Sequence, residues 1–134
     1  MSVFVLDASV STSWLLDDEL DPAAQNAFER ISEDGVLVPQ LWHLEVRNAL
    51  LSAERRRRID AKGLDERIRA IVELPVSTDT APNLDVALAL ARAHELSFYY
   101  AIYLELALRK ESPLATLDRG LAEAAMMERV PLIR

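Results

Sequence analysis

Short runs of apolar residues alternate along this chain with longer stretches in which apolar residues recur at helical spacing. The runs predict buried strands, because strands that are covered on both faces read as continuous apolar segments, and the spaced stretches predict helices. The predicted strands are residues 3–6, 36–38, 74–76, 114–117 and 130–133. Strands that alternate with helices are typical of an α/β fold whose mostly parallel sheet carries helices on both faces.

Capping residues mark where the predicted helices begin. Serine, threonine and aspartate favour the N-cap, whereas proline suits the first helical turn and glycine follows the last one. The residues that open the predicted helices are Asp7 or Ser9, Pro22, Thr80, Ser97 and Asp118. Gly35 ends the second helix, and another helix is predicted after Gly63.

A further helix is predicted over residues 41–56. Glu45 lies near the apolar side of this helix, where a carboxylate needs a partner. The later helix predicted over residues 98–110 is apolar nearly all round, which predicts a central position. The inward stripe of the helix over residues 41–56 is predicted to consist of Leu41, Leu44, Ala49 and Leu51.

Composition narrows the class of protein. The 134 residues, 51% of them hydrophobic, suit one domain over residues 1–134. The chain has no cysteine and only two histidines, which excludes disulfides and thiolate sites and argues against zinc. No apolar run is nearly as long as a membrane helix, which needs about 18 residues. No basic region precedes the first apolar segment, as it would in a signal peptide. We therefore expect a cytoplasmic protein without a membrane anchor.

Acidic residues stand at the ends of two distant predicted strands. Asp7 follows the first strand, Asp118 follows the run at residues 114–117, and Glu45 is the third candidate. Either aspartate alone could be a helix cap, but both would face one crevice if their strands are neighbours. Carboxylates that converge repel one another unless a cation lies between them. Without imidazole or thiolate ligands, the cation expected is Mg²⁺ or Mn²⁺, which suits phosphodiester hydrolysis.

Net charge and glycine content limit the alternatives. The formal charge of −7 argues against bulk attraction to nucleic acid, although acids gathered around a cation are partly neutralised by it. The three glycines form no phosphate-binding loop. A phosphatase-like hydrolase would need a second acid close to Asp7, and the segment after Asp7 lacks one.

Four blocks of sequence together resemble the PIN-domain ribonucleases, and within them the VapC-type toxins of bacterial toxin–antitoxin pairs. The resemblance implies a three-layer α/β/α fold, a Mg²⁺ or Mn²⁺ site, cleavage of RNA and a homodimer. It also implies inhibition by a small antitoxin protein whose tail enters the site. The blocks are residues 5–9 (VLDAS), 43–50 (HLEVRNAL), 96–104 (LSFYYAIYL) and 114–118 (LATLD).

The resemblance assigns roles to individual positions. It implies that three acids bind the metal and carry catalysis, and that three polar residues lie beside them. The acids are Asp7, Glu45 and Asp118, and the polar neighbours are Ser9, Asn48 and Thr116.

One position departs from the family pattern. The family usually has aspartate where this chain has Tyr100, and a neutral phenol supplies neither the charge nor a carboxylate ligand. Loss of an outer-shell partner alone typically costs ~10–100-fold in metal affinity or activity. The sequence therefore supports two hypotheses: a metal-dependent endoribonuclease toxin of a VapBC-type pair, attenuated by Tyr100, or a catalytically impaired scaffold that binds the antitoxin in a repressor complex.

Two further features have open interpretations. The run of arginines at residues 55–58 is either a solvated helix end that complements the helix dipole or a phosphate clamp in which Arg55 and Arg56 contact RNA. Trp14 and Trp42 suit either the core or an exposed groove for a partner helix.

Overall fold

A computed structural model of the protein describes residues 3–134. The predicted domain over residues 1–134 thus includes two residues that lie outside the described range. The described part of the chain forms four strands and seven helices, and two helices follow each of the first three strands. Their bounds are β1 Phe4–Leu6, α1 Ala8–Leu16, α2 Pro22–Asp34, β2 Val36–Pro39, α3 Gln40–Arg55, α4 Ala61–Val72, β3 Val76–Asp79, α5 Leu84–His94, α6 Phe98–Arg109, β4 Leu114–Ala115 and α7 Arg119–Met127.

The four strands form one parallel sheet in the order β3-β2-β1-β4. Val5 of β1 is paired with Leu37 on one side and with Leu114 on the other. The α/β class and the central parallel sheet are confirmed. Strands β2 and β3 follow one another on one side of β1, and β4 pairs with β1 on its other side. The carboxyl ends of β1 and β4 therefore flank a topological switch point, where open α/β sheets bind their ligands.

The buried face of α3 differs from the predicted stripe. Leu44 is 64% exposed, and the other three predicted residues are only partly buried. Apolar residues occupy two neighbouring stripes of this helix, and the stripe with the tryptophan turns inward because it buries the larger area. The residues that α3 buries are Trp42, Val46, Leu50 and Ala53.

Capping interactions fix several helix ends as predicted. The Ser97 side chain accepts a hydrogen bond from the Tyr100 N–H, and Pro22 is in the first turn of α2. The predicted cap at Thr80 is wrong, because Asn83 caps α5 instead. Pro82 disfavours a helical conformation of Ala81, so α5 does not extend back to Thr80. Helix α4 begins before Gly63, because Asp60 caps it.

The strands differ from prediction in length. β3 continues to Asp79, whereas β4 ends at Ala115, two residues early. The predicted last strand is reduced to an isolated parallel bridge between Leu114 and Leu132. Pro131 has no N–H to donate, which prevents a regular ladder there.

Helix α6 runs through the centre of the molecule, as its apolar sequence predicts. Every residue from 101 to 107 is buried, including Glu105. Arg109 pairs with Glu105 at 2.7 Å and with Asp79 at 2.8 Å, and its hydrogen bonds lower the pKa of Asp79. The ion pair between Arg109 and Asp79 therefore links the edge strand β3 to α6. No helix within residues 3–134 has the length and apolar character needed to cross a membrane.

Candidate acidic site at the carboxyl end of the sheet

Asp7 is a buried carboxylate at the point where β1 passes into α1. It occupies the N-cap position, but its side chain makes no capping hydrogen bond, so the capping interpretation of Asp7 is wrong. Its Oδ2 instead accepts hydrogen bonds from the Ser9 hydroxyl at 2.6 Å and the Thr116 hydroxyl at 2.7 Å. Only 1% of Asp7 is exposed. The fold thus holds this carboxyl group away from solvent with one oxygen fixed.

Burial raises the pKa of Asp7 to about 6. The hydrogen bonds from Ser9 and Thr116 oppose this rise, and the negative charge of Glu45 adds to it. In the absence of a cation, ionisation of Asp7 at neutral pH therefore costs free energy of folding. A bound cation would remove much of that cost.

Thr116 links the ends of β1 and β4. Its hydroxyl donates to Asp7 and accepts from the Asp118 N–H at 3.0 Å. The Ser9 hydroxyl makes a second link, because it accepts from the Leu117 N–H at 3.0 Å. The hydroxyl groups of Ser9 and Thr116 therefore connect the chain after β1 with the chain after β4. Thr116 is the first residue after β4, which ends earlier than predicted.

Asp118 caps α7, as predicted. Its Oδ2 accepts from the Leu121 N–H at 2.9 Å, and the residue is partly buried. The cap occupies one carboxylate oxygen and leaves Oδ1 for another partner.

Glu45 is partly buried in the second turn of α3. Its Oε1 accepts a hydrogen bond of 2.7 Å from the phenol of Tyr103 on α6. Tyr103 is fully buried, and burial together with the charges of Asp7 and Glu45 raises its pKa, so the phenol stays protonated. Asn48, the predicted neighbour of Glu45, is exposed and makes no side-chain hydrogen bond to it in the described part of the chain.

Tyr100 is a partly buried residue of α6 that lies within electrostatic range of the three acids. It lies one helical turn before Tyr103, so both phenols project from the same face of α6. Burial raises the pKa of Tyr100 to about 12, and the charges of Asp118 and Asp7, followed by that of Glu45, contribute to the rise. The three carboxylates therefore all lie within electrostatic range of Tyr100.

Tyr103 is the site residue that the sequence interpretation missed. A signal was present, because a tyrosine three residues after Tyr100 must share its helix face. What the sequence did not reveal was the acceptor, Glu45, which is 58 residues away along the chain.

The donor chemistry of the crevice fits a hard divalent cation, since it offers carboxylates and hydroxyls only. Within residues 3–134, no three side chains of the types His, Cys, Asp and Glu lie close enough together to hold a metal ion. Mg²⁺ is usually bound by one or two carboxylates with water and substrate phosphate completing its shell. The donor types of the crevice fit such an ion, and ligation by all three acids stays a prediction.

The predicted arginines lie outside the crevice. Arg55 and Arg56 are exposed at the carboxyl end of α3. Ten residues separate Glu45 from Arg55, which is about 15 Å along a helix. A cavity of about 310 Å³ lies between α1 and α3 in this region, and Thr12, Ser52 and Arg56 are among its lining residues.

Comparisons with known proteins agree with the observed fold. The family model of the PIN domain matches residues 4–126. The chain is similar to the crystal structure of PAE2754 from Pyrobaculum aerophilum, with 22% identity, a TM-score of 0.75 and coverage of 98% of this chain and 84% of the other. It is also similar to FitAcB from Neisseria gonorrhoeae, with 14% identity, a TM-score of 0.69 and coverage of 98% and 97%. The search of curated proteins found no match.

Proposed function

The chain belongs to the PIN-domain family, and on that basis we propose that it is a divalent-metal-dependent endoribonuclease, the toxin of a VapBC-type toxin–antitoxin pair. PIN domains are generally nucleases. The observation that carries the proposal is the environment of Asp7: a buried carboxylate at the switch point, with two hydroxyl donors on one oxygen. Such a group is costly to ionise unless a cation is bound beside it.

The side chains of the crevice have different roles in the proposed function. Ser9 and Thr116 orient Asp7, so that its second oxygen is available to Mg²⁺ or Mn²⁺. Glu45 and Asp118 are the other candidate ligands, directly or through water. A bound ion would polarise the phosphoryl oxygen and supply an activated water for in-line attack on the RNA phosphodiester.

The presence of tyrosine at position 100 supports an alternative function without catalysis. The neutral phenol of Tyr100 lies within electrostatic range of the three acids and, with its pKa raised to about 12, supplies no negative charge at neutral pH. The crevice therefore has one carboxylate fewer than the pattern that the sequence resembles. The alternative is a PIN scaffold without turnover that binds an antitoxin and forms a repressor complex.

Thermal unfolding with added Mn²⁺ separates the two functions. A competent site should stabilise the fold by mass action, by about 2.7 kcal/mol at a Mn²⁺ concentration 100-fold above the Kd. The Asp118→Asn variant is the matched control, because asparagine caps a helix as well as aspartate does but lacks the charge. We expect Mn²⁺ to raise the Tm of the native chain and to have a smaller effect on this variant. A native Tm that does not respond to Mn²⁺ would favour the scaffold.

We propose that single-stranded RNA runs from the crevice along the groove between α1 and α3 towards Arg55 and Arg56. The support is the position of Arg56 on the cavity that lies between these helices. Arg58, beyond the end of α3, contacts Asp17 at 4.0 Å and donates a hydrogen bond of 3.5 Å to the Leu16 carbonyl oxygen, whereas Arg55 and Arg56 are exposed, so that their charges are available to phosphates.

The Arg56→Ala variant tests this path. Each phosphate contact on single-stranded RNA contributes about 0.7 to the slope of log affinity against log salt concentration. We expect the variant to bind a short single-stranded RNA more weakly at low salt and with a slope shallower by about 0.7. Arg92→Ala, which removes an exposed arginine from α5, should leave the slope unchanged. Equal slopes for both variants would exclude Arg56 from the RNA path.

The proposed protein partners are a small antitoxin and a second copy of the chain. Trp14 lines an apolar cavity of about 200 Å³ with Phe28 and Ile71, a surface suited to an apolar helix face. Exposed leucines on α3 and α5, among them Leu44 and Leu88, are available for a homodimer. The proposed location is the cytoplasm, where RNA and the antitoxin are made.

A further inference from the structure

The only hydrogen bond that Glu45 receives from the described part of the chain comes from Tyr103. The donor is the phenol oxygen, which lies 2.7 Å from Glu45 Oε1 and joins α6 to α3. The Tyr103 ring is fully buried in the core, whereas Glu45 is only partly buried. The fixed partner in this pair is therefore the tyrosine, and the side chain whose position it determines is the glutamate.

The chemistry of the pair explains why a tyrosine is present at this core position. A phenylalanine would fill the same space, so packing alone does not account for the hydroxyl group. Buried phenols normally find a hydrogen-bond partner, and a bond to an ionised acceptor is about twice as strong as one between neutral groups. The bond occupies Oε1 and leaves Oε2 as the oxygen available to the crevice.

We infer that Tyr103 is a positioning residue: its phenol holds the Glu45 carboxylate in the orientation in which Oε2 meets a divalent cation bound beside Asp7. The inference rests on the proposed metal-dependent function. A purely structural bond between two helices would affect folding stability and leave the affinity for the cation unchanged. The two roles can therefore be separated by measuring stability and metal affinity on the same variants.

The structure offers a matched control for this test. Trp42, also on α3, donates a hydrogen bond of 2.8 Å to the Ser11 hydroxyl on α1, and both of these residues are buried. Tyr103→Phe and Ser11→Ala each remove one hydroxyl group from a bond between α3 and a neighbouring helix. Only the first of these bonds involves a candidate ligand.

Calorimetric titration with Mn²⁺ of the full chain is the experiment. Tyr103→Phe should weaken Mn²⁺ binding about 10-fold, as loss of an outer-shell partner typically does. Ser11→Ala should change the Mn²⁺ affinity by less than about twofold, although both variants lower the Tm of the metal-free protein to a similar extent. In a Glu45→Gln background, Tyr103→Phe should have no more than about a twofold further effect, because the two residues act through one bond.

The outcomes distinguish this inference from the function on which it rests. Mn²⁺ binding by the native chain together with unchanged affinity in Tyr103→Phe would overturn the inference and leave the proposed function standing. An equal loss of affinity in Ser11→Ala, or a full effect of Tyr103→Phe in the Glu45→Gln background, would overturn it as well. A native chain that binds no Mn²⁺ would overturn both.

Discussion

Replacing Asp7 by asparagine is expected to reduce Mn²⁺-dependent RNA cleavage by at least about 100-fold and, at the same time, to make the metal-free protein more stable at pH 7.5. Both effects follow from the burial of one carboxylate. Asp7 supplies the best-shielded oxygen of the crevice, so its loss removes the central ligand. Asparagine keeps an oxygen that can accept from Ser9 and Thr116 but carries no charge that must be buried.

The stability effect depends on pH in a defined direction. The pKa of Asp7 is raised from its usual 3.8 to about 6 in the folded protein. The folded state thus binds this proton more tightly than the unfolded state, and the contribution to stability is complete below about pH 4 and is lost as the pH rises through about 6. A tenfold change in proton affinity is worth about 1.4 kcal/mol, so the total loss is about 3 kcal/mol.

Denaturant unfolding with a chelator present measures this loss. The gain in free energy of unfolding from Asp7→Asn should be larger at pH 7.5 than at pH 4 by about 3 kcal/mol. Asp18→Asn, in an exposed turn, should show no such dependence on pH. Parallel pH profiles for the native chain and the Asp7→Asn variant would contradict the assignment of Asp7 as a buried acid with a raised pKa.

Exchange of Tyr100 for aspartate is expected to increase Mn²⁺-dependent RNA cleavage by about 10-fold or more. A carboxylate at this position would add a candidate ligand to the crevice to which Asp7 and Asp118 already contribute. The same charge would repel those acids in the metal-free protein, so the variant should have a lower Tm with a chelator and a larger rise in Tm with Mn²⁺.

Tyr100→Phe is the control for this gain. It removes the hydroxyl group and keeps the ring, and it adds no ligand, so its cleavage rate should remain close to that of the native chain. Equal cleavage by the native chain and by Tyr100→Asp at saturating Mn²⁺ would contradict the proposed effect of Tyr100.

The sequence was informative where one local signal determines the structure. Ser97 and Asp118 are N-caps whose position follows from side-chain chemistry and the apolar residues after them. The parallel sheet followed from apolar runs separated by helices. Once that sheet is given, acids at the ends of its strands must lie at the same edge, and this placed Asp7 and Asp118 near each other.

Other features depended on tertiary packing. Helix α3 has two apolar stripes, and the choice of the one with Trp42 over the one with Leu44 depends on the surface that covers it. Asp7 has the sequence context of a helix cap, but the Thr116 hydroxyl, 109 residues away, gives its carboxylate another use. The hydrogen bond between Tyr103 and Glu45 likewise depends on how α6 is rotated against α3. Local sequence carries no signal for such rotations.

The proposed function requires that the acids of the crevice bind a hard divalent cation. Anomalous diffraction from crystals soaked in Mn²⁺ would locate such an ion. We expect a peak next to the free oxygen of Asp7, with Glu45 or Asp118 reaching the ion directly or through a water molecule. A well-ordered crevice without a peak, or carboxylates too distant to share one ion even through water, would contradict the proposed function.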